Sequence, residues 1–105
     1  MFTVIYKMKV KQGCDKDFIR GWKSLTKFIY EYEGSLGSRL HKLEEGHYLA
    51  YAQWPSKEVF SNAGDNLPEI AHESRKLMKD SCEKITTGYE MQVVTDLFEK
   101  KPFQL

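Results

Sequence analysis

Apolar and polar residues alternate from Phe2 to Val10, with Phe2, Val4, Tyr6, Met8 and Val10 on one face and Thr3, Ile5, Lys7 and Lys9 on the other. A period of two with one strongly apolar face predicts a strand. Gln12-Gly13 breaks it, and Asp15 stands where a helix would be capped, with Asp17 in the first turn. From Asp17 to Tyr32 the spacing becomes helical. Phe18, Trp22, Leu25, Ile29 and Tyr32 make one stripe, flanked by Ile19 and Phe28, while Arg20, Lys23, Lys27 and Glu31 take the other side. Gly34 supplies the stop.

The middle of the chain, Ser38 to Ser56, reads as two strands turning over Glu44-Glu45-Gly46 and ending in a Trp-Pro-Ser corner. Tyr48, Ala50, Ala52 and Trp54 share one face of the second strand; His47, Leu49, Tyr51 and Gln53 share the other. Both faces carry bulky groups, so the sheet is expected to be covered on both sides. Pro55 ends the ladder and Ser56 caps a short helix running to about Ala63. Gly64-Asp65-Asn66 interrupts, and Asn66 with Glu69 resembles a capping box that restarts a helix over 67–82. A long strand over 85–98 comes next, with Tyr89, Met91, Val93 and Leu97 on its more apolar face, and then a short tail.

The order strand, helix, hairpin, helix, strand predicts an α+β, ferredoxin-like βαββαβ antiparallel sheet with its helices on one face. Two main helices cover only one side. The other, carrying groups such as Ile5, must meet water or a partner, and a second copy related by a two-fold axis would make each patch its own complement. The strand over 85–98 is about twice the usual five to six residues and long enough to reach that copy.

The 105 residues predict one domain over 1–105, and 41% hydrophobic with 30% charged residues describes an ordinary globular protein. A formal charge of +1 argues against nucleic acid or a membrane surface as partner. No apolar run approaches the roughly 20 residues of a membrane span. The chain enters a strand pattern at once, so no signal peptide is expected. Cys14 and Cys82 are isolated and form no CxxC, which suits reduced thiols in a cytoplasmic protein. The 13% aromatic content leaves room for an aromatic-lined pocket.

The Trp-Pro-Ser corner after an aromatic-rich strand, the preceding GSLGSRLH strand and the final VVTDLFE segment resemble the antibiotic biosynthesis monooxygenase (ABM) family. The resemblance covers nearly the whole chain. It implies a dimeric α+β barrel, built from two sheets packed face to face, with a pocket in each subunit between sheet and helices. It also implies one of several activities: cofactor-independent oxygenation of a small aromatic or quinol-like compound, haem degradation, or isomerisation of a small metabolite. Against the family's pattern, Ala52 stands where many members carry Glu, and Ala63 where many carry His or Trp. At the positions of the haem-degrading branch stand Tyr6, Ala63 and His72, and only His72 keeps that branch's residue.

Tyr6 points with Val4 and Met8, and its hydroxyl needs a partner if buried: a backbone carbonyl or water in a structural role, or a substrate oxygen that it would orient or protonate. Trp54 reads first as a core plug at the corner and Trp22 as the centre of an apolar stripe. With Tyr6 and Met8 they are the expected lining of a substrate pocket. Asn62 and His72 complete the catalytic candidates. The three histidines lack HxH or HxxxH spacing and no acidic cluster joins them, so no metal is expected, and no other cofactor. Two further readings accompany the monooxygenase: a non-catalytic binder of a small aromatic or lipid-like molecule, and a haem protein.

Overall fold

The first strand, β1 (Phe2–Val10), contains neither glycine nor proline, and it is one of two central strands hydrogen-bonded to a neighbour on each side. The remaining elements of the computed structural model are α1 (Asp15–Tyr32), β2 (Gly37–Glu44), β3 (His47–Trp54), α2 (Lys57–Ser61), α3 (Ala71–Asp80) and β4 (Cys82–Gln92). The structure describes residues 1–99. All strand pairs are antiparallel in the order β2-β3-β1-β4, the α+β, ferredoxin-like arrangement.

The registers Phe2↔Trp54, Val4↔Ala52, Tyr6↔Ala50 and Met8↔Tyr48 put the apolar alternations of β1 and β3 on the same face. Two buried clusters form there. Met8, Val10, Phe18, Tyr48, Ala50 and Cys82 make the first, with Trp22 and Met78 packed against it. Phe2, Val4, Ala52 and Trp54 make the second, covered by Ile29, Val59, Phe60 and Ala63. Tyr6 packs against both. Above them α1 and α3 approach closely: Gly21 lies against the backbone of Met78, and Ser24 Oγ meets Ser74 Oγ at 2.6 Å.

Three local expectations are corrected. Asp15 is the first residue of α1 and not its side-chain cap; its carboxylate instead accepts a hydrogen bond from Tyr48 Oη at 2.6 Å, tying the helix start to β3. The helix expected over 67–82 is Ala71–Asp80, with no side-chain cap from Asn66, because Pro68 disfavours helical geometry just before it and its carbonyl accepts Ala71 N–H in a turn. The strand expected over 85–98 is Cys82–Gln92. Beyond a bond from Val93 N–H to the Met1 carbonyl, residues 93–99 form no regular element, for they pass the end of β1 and have no strand to pair with among the described residues. The register of β4 also shifts beside Ile5 and Tyr6, where Gly88 is an extra residue. Tyr89 thus stays on the open face opposite Ile5, while Thr87 and Glu90 face the helices.

Candidate functional site

The residues expected to line a pocket lie on the helix side of the sheet, in two groups. Met8, Trp22 and Tyr6 meet at the first cluster; Trp54 lies in the second, which Tyr6 also touches. Tyr6 is therefore the side chain common to both. It is half-buried and forms no side-chain hydrogen bond among the described residues, and burial, with the charge of Glu90 as a smaller cause, pushes its phenol above the usual value. At neutral pH it is an uncharged donor with its proton uncommitted.

Trp54 is 4% exposed. The strand ends at it because Pro55 offers no N–H, and Ser56 turns the chain into α2 by accepting Val59 N–H on its Oγ at 3.2 Å. That corner brings Phe60 edge-on to the indole, 5.4 Å between ring centroids, with Phe2 5.8 Å from Phe60 on the other side. The indole Nε1 is buried and without a hydrogen-bond partner, the one such buried side-chain atom among the described residues. A donor stranded in this way costs about 1–3 kcal/mol and calls for an explanation.

Asn62 and His72 are not brought to these residues. Asn62 is the exposed C-terminal cap of α2, outside both clusters, and His72 is exposed in the first turn of α3. Two carboxylates have no counterpart among the residues expected from the sequence. Glu90 faces the helix side of β4, opposite Val4, and its charge is felt at the Tyr6 hydroxyl. Glu33, the C-cap of α1, is buried and accepts the backbone N–H groups of Gly64 and Asn66. A carboxylate at a helix C-terminus opposes the helix dipole, and that was the available signal for Glu33.

Two open grooves lie elsewhere. One, of about 470 Å³, runs along the outer side of α1 between Lys16, Arg20, Lys23 and Lys27. The other, of about 370 Å³, lies on the open sheet face among Tyr51, Gln53, Val93 and Leu97. Among the described residues no group of three or more His, Cys, Asp or Glu is placed to hold a metal ion, and no helix is long and apolar enough to cross a membrane.

The sequence profile of the family described as antibiotic biosynthesis monooxygenase matches residues 1–66. Among solved structures, SnoaB, a cofactor-independent oxygenase from Streptomyces nogalater, superposes with a TM-score of 0.74 at 15% identity, over 93% of this chain and 97% of that one. A protein described as an antibiotic biosynthesis monooxygenase gives 0.70 at 16% identity, over 90% of this chain and 100% of its own. Rv0793 from Mycobacterium tuberculosis gives 0.70 at 7% identity, over 92% and 98%. At such identities the likeness establishes the fold. No curated protein matches the sequence.

Proposed function

Because the chain belongs to the antibiotic biosynthesis monooxygenase family, we propose that it is a cofactor-independent monooxygenase whose small aromatic or quinol-like substrate itself reduces dioxygen. The observation that carries this reading is the Trp54 indole N–H, buried among apolar side chains and without a partner among the described residues. Such a donor is arranged for an oxygen atom that arrives with a ligand. Tyr6, with its own uncommitted hydroxyl, is the second donor on the same side of the sheet.

The chemistry can be written for 1-naphthol, a probe of the right class. Loss of the phenol proton gives an anion with carbanion character para to the oxygen. That carbon gives an electron to dioxygen and forms a C–OOH bond; cleavage of the O–O bond with loss of the remaining hydrogen on carbon yields 1,4-naphthoquinone and water. One atom of dioxygen enters the ring and the other leaves as water, with the substrate as sole reductant. Tyr6 and Trp54 would hold the substrate oxygen and stabilise the anion by hydrogen bonds in a water-poor setting, where these are worth most. Glu90, on the polar edge of the same face, is a candidate acceptor for the phenol proton.

In the same reading two copies pair through the open sheet face. Tyr89 and Met91 are exposed there, Val94, Leu97 and Phe98 have 80% or more of their surface free, and Leu97 and Phe98 line the groove beside Tyr51 and Gln53 on that face. The free thiols Cys14 and Cys82 fit a reducing, cytoplasmic setting. A second reading, a non-catalytic binder, draws support from Ala52 and Ala63 and from the exposure of Asn62 and His72. Titrating the ¹⁵N-Trp-labelled chain with 1-naphthol under argon tests the site. The Trp54 indole cross-peak should move downfield saturably as its N–H gains an acceptor, and a cross-peak unmoved by 1-naphthol, other naphthols and hydroquinones would refute it. Saturable binding with no oxygen uptake on admitting air would establish the second reading.

A further inference from the structure

A ligand reaches the Trp54 indole only if something above it moves. The cover is α2 with the residues just after it: Phe60 lies edge-on to the indole, and Val59 and Ala63 pack on the same cluster. For a core cover, α2 is weakly anchored. It has five residues, none of them buried, well short of the roughly 12–15 needed for a helix to stand alone. Ser56 holds its start. The loop beyond its end is held by Glu33, whose carboxylate accepts the N–H groups of Gly64 and, at 2.9 Å, Asn66.

Glu33 is 7% exposed, and it sits where the last carbonyls of α1 repel a negative charge. Those two N–H groups therefore supply much of its solvation, and its carboxylate in turn fixes the backbone at 64–66. Gly64 has φ +123° with open space where a side chain would be, so the loop contains a residue free to change conformation.

We propose that Glu33 is the latch of a lid made of α2 and residues 62–66, and that release of Gly64 and Asn66 from its carboxylate opens Trp54 to ligand. Glu33 is a positioning residue, acting through the loop. The purpose of the lid rests on the reading of Trp54 as the ligand's donor; its existence does not, and the test separates the two.

Hydrogen exchange is followed by NMR on the ligand-free chain at low denaturant. The amides of Gly64 and Asn66 and the indole N–H of Trp54 should exchange through one shared opening, easier than the global unfolding read from the amides of Val4 and Met8. Glu33→Gln keeps the shape but removes the charge and presents an N–H₂ group to one of the two donors, which bond to different oxygens of the carboxylate. It should speed exchange of those three groups about tenfold or more while the β1 amides change little, and Glu33→Asp should recover part of the protection. Trp54 exchanging only together with Val4 and Met8 in the native chain overturns the proposal, as does Glu33→Gln accelerating every amide alike. Should the variants not fold, the native-chain pattern decides alone. In a Trp22→Phe background, Trp54 fluorescence then reports 1-naphthol association by stopped flow, which Glu33→Gln should accelerate; an unchanged rate counts against the latch. If the three groups open together but 1-naphthol never binds, the latch stands and Trp54 as donor falls.

Discussion

Replacing Gly21 by alanine puts a methyl group where α1 crosses α3. A Cβ built there lies 2.7 Å from Met78 N and 3.1 Å from both Met78 Cα and the Ser74 carbonyl oxygen. All three are backbone atoms, so no side-chain rotation relieves the overlap, and the helices must part by about 1 Å to regain van der Waals separation. Parting them also stretches the 2.6 Å Ser24–Ser74 hydroxyl contact one turn away. Overpacking of this kind costs about 1–3 kcal/mol, and loss of the hydrogen bond adds about 0.5–1.5 kcal/mol. Against these stands the gain of about 1 kcal/mol from replacing glycine inside a helix. The net expectation is a loss of about 1–3 kcal/mol, or roughly 5–15 °C in Tm for a chain this size, read by circular dichroism during thermal and urea unfolding. The sign is the test. On a helix with free space at that position the substitution stabilises, so an unchanged or raised midpoint would refute the close helix crossing.

Tyr48→Phe removes the bond to the Asp15 carboxylate and should cost about 1.5–3 kcal/mol in urea unfolding, the worth of a hydrogen bond to a charged group. The same bond, then burial, raises the Tyr48 phenol from 10.0 to about 12. A raised folded value gives stability that is complete below pH 10 and lost as pH climbs through about 12, so the variant should lose less stability than the native chain across that window. Tyr6→Phe deletes a hydroxyl with no hydrogen-bond partner among the described residues and should leave stability within about 0.5 kcal/mol, while weakening 1-naphthol binding about five- to tenfold in the NMR titration. Sedimentation at micromolar concentration should give twice the chain mass of 12.3 kDa, and Tyr89→Glu on the open face should shift the species toward monomer.

The elements that were legible in the sequence are those whose pattern is imposed by a single buried face. β1 and β3 alternate because their even-numbered side chains must lie under the helices, and α1 shows its stripe because Phe18 and Leu25 are buried against that sheet. β4 was read with the wrong limits for two physical reasons. The extra residue at Gly88 breaks the alternation, and the apolar residues beyond Gln92 keep a strand-like pattern with no neighbouring strand among the described residues. The candidate site was legible only in part. Tyr6, Met8, Trp22 and Trp54 could be placed by their faces, but the isolation of the Trp54 N–H depends on Phe60 and Val59, which arrive through a corner. The partners of Glu33 are backbone groups 31 and 33 residues away, and backbone donors leave no trace in a side-chain pattern.

An aromatic substrate held between Tyr6 and Trp54 that reduces dioxygen itself is the central claim. It is tested most directly by incubating the native chain and Trp54→Phe with 1-naphthol under ¹⁸O₂ and weighing the product. The native chain should give 1,4-naphthoquinone carrying one ¹⁸O atom, without hydrogen peroxide, at a rate that Trp54→Phe lowers about tenfold or more. Quinone lacking ¹⁸O, peroxide formed in step with it, or equal rates for the two chains would contradict the claim.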